Sequence, residues 1–395
     1  MKQLIRRFVS FLTTLALLCA SAPRAFGVSA AAYCLMDADT GEILKASREE
    51  EERPMASTTK IMTCLVAIRE GDLRQTVSVP ACAVGVEGSS VYLVSGEKLP
   101  LLDLLYALML QSANDAAVAI AVAVSGSVEA FVDRMNETAA ELGLSHTRFA
   151  DPHGLSSKGH YSSAKDLCRL MAAAMRDETF SAITAEKVYK IPSPDGGVRT
   201  VINHNRLLRS EESCVGGKTG FTKAAGRCLV TAFRRSGKTL VCATLNDPDD
   251  WNDHRALFAE GFSQYREVEF CQFAGIRQEL PVVGGELYTV PVTNLDGVKG
   301  MVRGPEEVQM VLELPHFLYA PVPGIEFATD GTYVLRRAGV SVGDAVFYQG
   351  TKEVARVPLY PMMNVGELPR KKGLFERIGD WFRSLWERIR ALWKK

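Results

Sequence analysis

The sequence predicts an α+β fold: a mostly antiparallel sheet with helices packed on it, then a small all-β domain and a C-terminal amphipathic helix. Three observations carry that reading. Strand-like runs lie near both ends of the first 245 residues with helical patterns between them, so terminal strands can meet in one sheet. From about residue 266 short β-branched runs are spaced by Gly, Pro and Asp with almost no helical period. Beyond residue 370 apolar residues recur at steps of three and four. The composition, 47% apolar and 23% charged over 395 residues, excludes disorder, collagen and a small disulfide scaffold.

Residues 1–27 open with Lys2, Arg6 and Arg7, continue with an apolar run from Phe8 to Cys19, and end in small residues. That reads as a secretory signal peptide with a cleavage zone around Ala20 to Ala30, its apolar core too short to span a bilayer as a stable helix; an N-terminal anchor that is never removed is the alternative. Residues 28–265 form the main domain. A hairpin over 32–46 turns at Asp39-Thr40-Gly41. Helical patterns cover 57–70 and 99–124, the second rich in Ala and Leu and therefore expected to be buried, followed by helices near 128–142 and 163–176. Strand-like runs Cys228 to Arg234 and Thr239 to Leu245 flank the turn Arg235-Ser236-Gly237-Lys238. Residues 266–365 form the small all-β domain, with runs at Leu287 to Val292, Val308 to Leu314, Tyr333 to Leu335 and Val354 to Leu359.

Lys and Arg total 46, as do Asp and Glu, so the overall balance gives no case for a nucleic-acid binder. The balance hides a polarity: residues 370–395 hold nine basic and three acidic residues, residues 1–27 four basic and none acidic, and the body between is acidic. Signal removal leaves eight cysteines, none at a zinc-ligand spacing and several inside apolar stretches. They read as small buried hydrophobes; export permits disulfides but the spacing does not demand them.

Three polar clusters carry chemistry. Ser57-Thr58-Thr59-Lys60 stands directly before the apolar run Ile61 to Leu65. Two other Ser-x-x-Lys matches are explained without chemistry: Ser95 to Lys98 as a turn, and Ser162 to Lys165 as a helix start capped by Ser163 with Asp166. At Ser57 a cap would want Glu or Gln three residues on, whereas Lys60 puts a cation where the helix dipole repels it. That placement suits a lysine held neutral to take the serine proton. Ser112-Ala113-Asn114 interrupts the second apolar helical pattern, where polar groups need partners. Lys218-Thr219-Gly220, after Gly216-Gly217 and before Phe221-Thr222, offers a charge and a hydroxyl to a carboxylate where glycine lets a ligand approach the backbone.

Taken together, Ser-x-x-Lys, Ser-x-Asn and Lys-Thr-Gly, separated by 55 and 106 residues, resemble the penicillin-recognising serine acyl-transferases and β-lactamases. Pro54-Met55-Ala56-Ser57, Ser112 to Ala117, Asp151-Pro152-His153-Gly154-Leu155 and Gly217 to Thr222 are similar to the D-alanyl-D-alanine carboxypeptidases, serine peptidase family S11. The resemblance implies a β-lactamase/transpeptidase-like domain and removal of the terminal D-alanine from peptidoglycan stem peptides ending in D-Ala-D-Ala, with β-lactams as inhibitors. It implies Ser57 as nucleophile, Lys60 as general base and Ser112 as proton relay. Asn114 would bind the substrate amide and Lys218 and Thr219 its carboxylate. Gly220 belongs to the same binding strand, and the backbone N–H groups of Ser57 and Phe221 would form the oxyanion hole. No metal or organic cofactor is implied. A non-catalytic wall protein and a serine β-lactamase are the alternatives; the deacylating Glu-x-x-Leu-Asn segment of the latter does not occur between Asn114 and Lys218.

Residues 366–395 carry Leu374, Phe375, Ile378, Trp381, Phe382, Leu385, Trp386, Ile389, Leu392 and Trp393 on one helical stripe, opposite Arg377, Arg383, Arg388 and Arg390. An aromatic stripe with a basic back is expected to lie in the plane of an anionic membrane surface as a peripheral anchor. The expected location is therefore the outer face of the cytoplasmic membrane.

Overall fold

Strands β1 (Ala32–Asp37) and β2 (Ile43–Ser47) form the opening hairpin, with Tyr33 opposite Ser47. Strands β3 (Cys214–Thr222), β4 (Gly226–Arg235) and β5 (Lys238–Leu245) return from the far end of the domain, and β5 pairs antiparallel with β1, Ala32 against Leu245. The result is one antiparallel sheet in the order β2-β1-β5-β4-β3, the arrangement the strand–helix–strand order predicts. This computed structural model describes residues 27–155, 158–327, 335–337, 340–369 and 373–392. The signal segment apart from Gly27, Tyr333 and Val334, the basic stretch 370–372 and the last three residues lie outside them.

The sheet separates two apolar layers because its strands alternate. Cys34 and Met36 join the large helical core, while Leu35 meets Gly261 of helix α7 (Asp250–Ser263) so closely that a Cβ there would sit 2.7 Å from it. Phe233 of β4 stacks on Phe258 of α7 at 3.9 Å. On the other face α1 (Lys60–Glu70) is buried over eight consecutive residues, Lys60 to Ala67. Such a helix runs through the core rather than over it.

The long pattern 99–124 is two helices, α2 (Leu101–Leu110) and α3 (Asn114–Ser125). Ser112 breaks them, its φ of 60° placing it in the left-handed region that non-glycine residues avoid. Apolar spacing continues across the break, so periodicity alone does not show it. Helices α4 (Val128–Glu141) and α5 (Ala164–Ala174) follow, capped by Ser127 and Ser163, then α6 (Glu178–Ala185). The predicted helix at 57–70 begins as a 3-10 turn over Ala56–Thr59. Elements without a counterpart in the sequence reading include the hairpin Val188–Pro192 with Val198–Ile202, and α7. Their residues are rich in glycine or charge, which masks the period. Six of the eight described cysteines are buried, Cys82 is exposed, and all eight are free.

The chain divides into two compact units between Tyr265 and Arg266. The second is built on strands β6 (Arg277–Val283), β7 (Thr289–Asn294), β8 (Val308–Glu313), β9 (Leu318–Tyr319), β10 (Gly343–Gln349) and β11 (Lys352–Pro361), in the order β8-β10-β11-β7-β6-β9. Its pairings are antiparallel except β6 with β9. Helix α8 (Leu374–Leu392) ends the described chain, with Ile378, Trp381, Phe382, Leu385 and Trp386 all exposed.

In the first unit Lys238, in a predicted turn, is buried. Its Nζ meets Asp37 Oδ2 at 3.1 Å and Asp39 Oδ2 at 2.7 Å, and the two carboxylates raise its pKa against the opposing effect of burial. Asp37 is fully buried, so removing the cation strands a charge. Lys238→Met is expected to cost about 3 kcal/mol in urea unfolding, with part of the loss recovered by adding Asp37→Asn; no loss would show that the pair is idle.

Candidate active site

The site forms where the 3-10 turn 56–59, the α2–α3 break, the loop 151–155 and strand β3 converge. Ser57 is half-buried at the start of the turn, and Lys60 is the first residue of α1 with no exposed surface. Lys60 Nζ lies 2.9 Å from Ser57 Oγ, 2.7 Å from Asn114 Oδ1 and 2.6 Å from the His153 carbonyl. Burial pushes its pKa well down, the charge of Lys218 adds to the effect, and Asp151 and Asp115 oppose it. A neutral amine has two N–H groups and one lone pair. Asn114 Oδ1 and the His153 carbonyl can only accept, so they take both hydrogens. The lone pair is left facing Ser57, the one neighbour with a proton to give.

Lys218 on β3 is equally buried, and burial pushes its pKa down to about 7. Its Nζ donates to Ser112 Oγ at 3.0 Å and to the Thr219 carbonyl at 2.9 Å. The Lys218 charge thus acts on Lys60, whereas burial is the cause of the shift at Lys218. Ser112, accepting from Lys218, keeps its own hydrogen for another acceptor. Gly220 presses β3 against the turn: a Cβ there would lie 3.0 Å from the Ser57 nitrogen. The Phe221 ring is 67% exposed.

Ser57, Ser112, Thr219, Gly220 and Phe221 line one cleft of ≈ 350 Å³ with Ser89, His204, Arg206, Arg227, Asp250 and Trp251. Lys60, Asn114 and Lys218 stand behind its wall. Asn114 holds Lys60 with its oxygen, donates from Nδ2 to the Glu87 carbonyl at 2.5 Å, and donates its backbone N–H to Ser89 at 2.7 Å. All eight residues singled out in the sequence therefore come together, three of them supporting the cleft from behind.

The reading of side chains missed two supports. The loop 151–155 supplies the His153 carbonyl, held because Asp151 accepts from the backbone N–H groups of His153 and Gly154 at 3.0 and 2.6 Å. Although burial opposes it, the hydrogen bond from His153 and the His160 ring keep Asp151 below the usual carboxylate range. Gly154, at φ +88°, faces the Ala56 carbonyl so closely that a Cβ would lie 2.0 Å away. Asp115 is the second: it accepts from Ser90 Oγ and from the N–H groups of Val91 and Leu93, fixing the loop beside Asn114. The glycine and the two aspartates were visible as letters, but backbone carbonyls leave no trace in composition.

A family model described as D-alanyl-D-alanine carboxypeptidase matches residues 19–249. A D-alanyl-D-alanine carboxypeptidase of Mycobacterium tuberculosis is 35% identical over 239 residues, 58% of this chain and 81% of its own. One from Escherichia coli K12 is 31% identical over 385 residues, 89% and 87% of the two chains. The solved penicillin-binding protein 5 of Haemophilus influenzae superposes with a TM-score of 0.59 at 26% identity, covering 88% of this chain and all of that one.

An amine accepts a proton only while unprotonated, so if Lys60 takes the Ser57 proton, acylation by penicillin should fall as pH drops through the depressed Lys60 pKa. Lys218→Gln removes the neighbouring positive charge, which raises the Lys60 pKa. The acid limb of the acylation rate is therefore expected to move to higher pH; an unmoved or lowered limb would refute the coupling.

Proposed function

Because this chain belongs to the D-alanyl-D-alanine carboxypeptidase family of serine peptidases, we propose that Ser57 is its nucleophile and Lys60 the general base. It is a serine D-Ala-D-Ala carboxypeptidase of cell-wall peptidoglycan metabolism. The observation that carries the residue assignment is Lys60 Nζ 2.9 Å from Ser57 Oγ, with two acceptor-only groups, Asn114 Oδ1 and the His153 carbonyl, as its other partners.

In the proposed cycle Ser57 Oγ attacks the carbonyl carbon between the last two D-alanines and its proton passes to Lys60. The resulting oxyanion is held by the N–H groups of Ser57 and Phe221, donors of a kind that contribute several kcal/mol to a transition state. Collapse breaks the C–N bond, and the proton returns from Lys60 through the Ser112 hydroxyl to the departing nitrogen. D-Alanine leaves an ester on Ser57, which water hydrolyses with Lys60 again as base. Thr219 meets the substrate carboxylate from the cleft, with Lys218 as the buried cation behind it, and Gly220 keeps the wall flat. Asn114 positions Lys60 with its oxygen and retains one amide hydrogen for a substrate carbonyl. No step calls for a metal or organic cofactor. β-Lactams acylate the same serine, and the intact pair of Ser57 and Lys60 favours turnover over a structural role.

The test is intact-mass detection of a penicillin adduct, present in the native protein and absent in Ser57→Ala, with D-alanine release measured in parallel. Lys218→Gln should raise KM or lower kcat by about tenfold or more for substrates with a free C-terminus, and far less for amidated ones. Equal losses on both would make its role merely structural.

We further propose that residues 1–27 are removed on export and that α8 holds the enzyme at the outer face of the cytoplasmic membrane. No single described helix is long and apolar enough to cross a membrane, while the stripe of Ile378, Trp381, Phe382, Leu385 and Trp386 is exposed and its back is basic. Deleting 370–395 should abolish sedimentation with anionic vesicles and leave hydrolysis of a soluble peptide unchanged. Retained sedimentation would rule out the helix as anchor.

A further inference from the structure

The first residues of the main domain run into a buried acidic pair that the catalytic reading does not use. Asp247, at the end of β5, and Asp253, in the first turn of α7, are 0% and 1% exposed. Both converge on Ser29. Its backbone N–H donates to Asp253 Oδ2 at 2.6 Å, and its hydroxyl lies 2.8 Å from both Asp253 Oδ2 and Asp247 Oδ1. A hydroxyl has one hydrogen and cannot satisfy two carboxylates. Asp247 Oδ2, also buried, has no hydrogen-bond partner. Burial, with the charge of Asp253, pushes the Asp247 pKa up to about 6. The guanidinium of Arg227, whose carbonyl holds the Asp247 N–H, is spent on Asp250 at 2.7 and 2.8 Å. Ser29 and Thr244 give this pair neutral hydrogen bonds and Asp247 faces Asp253 directly, but no described Lys or Arg side chain forms an ion pair with either carboxylate.

The chain can supply a cation. Ala31 is pinned to the end of β5, its N–H shared between the Leu245 and Asn246 carbonyls, and Ser29 is fixed by the two aspartates. Half-buried Val28 is the residue directly before Ser29, whose own N–H reaches Asp253 Oδ2 at 2.6 Å, so its nitrogen is tethered one residue, about 3.5 Å, from that contact. Ala25-Phe26-Gly27 ends the signal segment with small residues at the two positions a signal peptidase reads. Hydrolysis of the Gly27–Val28 bond consumes one water and leaves a carboxylate on Gly27 and an ammonium on Val28. An amide nitrogen is neutral, so the precursor brings no charge to the pair.

We infer that the α-ammonium of Val28, created when the signal segment is removed, is the cation received by Asp247 and Asp253. The inference rests on reading residues 1–27 as a cleaved signal. Asp247 Oδ1 also accepts from the Asp249 N–H at 3.1 Å, and its own N–H is held by the Arg227 carbonyl at 2.9 Å. The clamp thus sits at the root of the loop that delivers Asp250 and Trp251 to the substrate cleft. Maturation of the chain end and order in that cleft wall are tied through one residue.

Two measurements separate the clamp from the signal reading. N-terminal sequencing of the exported protein should give Val28 first; any other start overturns the link to maturation. Independently, protein beginning at Val28, released from a cleavable fusion, is compared with the same chain carrying Gly-Ser ahead of Val28. The free start should melt roughly 3–6 °C higher, and Asp247→Asn should reduce that gap to about 1 °C or less. Equal melting of the two chains overturns the clamp, as does a gap that survives Asp247→Asn. Should that variant fail to fold, Asp253→Asn provides the same comparison.

Discussion

Two lysine amines, Lys60 and Lys218, are buried behind the wall of one cleft, and the rest of the site is arranged around the cost of putting them there. Water is withdrawn from both, and Lys60 lies in the field of Lys218. A buried ammonium without a paired carboxylate is expensive, so the interior favours one base and one cation over two cations. That difference is the chemical resource of the site. It suits the proposed use of Lys60 as a proton acceptor in the first turn of a helix, a place where propensity and dipole both disfavour a charge.

Holding the neutral amine in register takes strained and close-packed backbone. Ala56 and Ser112 are non-glycine residues at φ 50° and 60°, conformations that persist only where surroundings over-determine them. Around Ala56 they do: Gly154 fits under its carbonyl, Thr59 Oγ1 donates to that carbonyl at 2.8 Å, and His160 Nε2 meets Thr59 at 2.7 Å. His160 Nδ1 accepts from the Ala150 N–H, which fixes the tautomer and makes Nε2 the donor. Around Ser112 the bond from Lys218 and the well-packed ends of α2 and α3 do the same. Neutral hydrogen bonds at the loops thus stabilise the angles at which Ser57, Lys60 and Ser112 meet.

The two ends of the mature chain carry complementary roles in this account. As proposed, the acidic pair behind the cleft wall receives the chain start, while α8 presents an exposed aromatic stripe suited to a lipid surface. Both use charge that the interior of the protein does not balance, one by lacking a cation and the other by displaying an excess.

The sequence by itself determined the fold class and the chemistry. Strand order placed β1 beside β5 because terminal runs with helices between them have few other ways to bury both faces. Ser57, Lys60, Ser112, Asn114 and Lys218 were legible because each breaks a local rule: a cation in a first turn, polar groups inside an apolar helix, a lysine among glycines. Only tertiary structure decided what those residues touch. It split 99–124 at Ser112 and set Lys60 against two carbonyl oxygens that no side-chain pattern encodes. It also placed Asn114 and Lys218 behind the cleft, with Thr219 and Gly220 on its face. The reason is the range of the forces involved. Periodicity and capping act over three or four residues, whereas Lys60 meets its acceptors 54 and 93 positions away, and only the packed sheet and helices bring such partners within 3 Å.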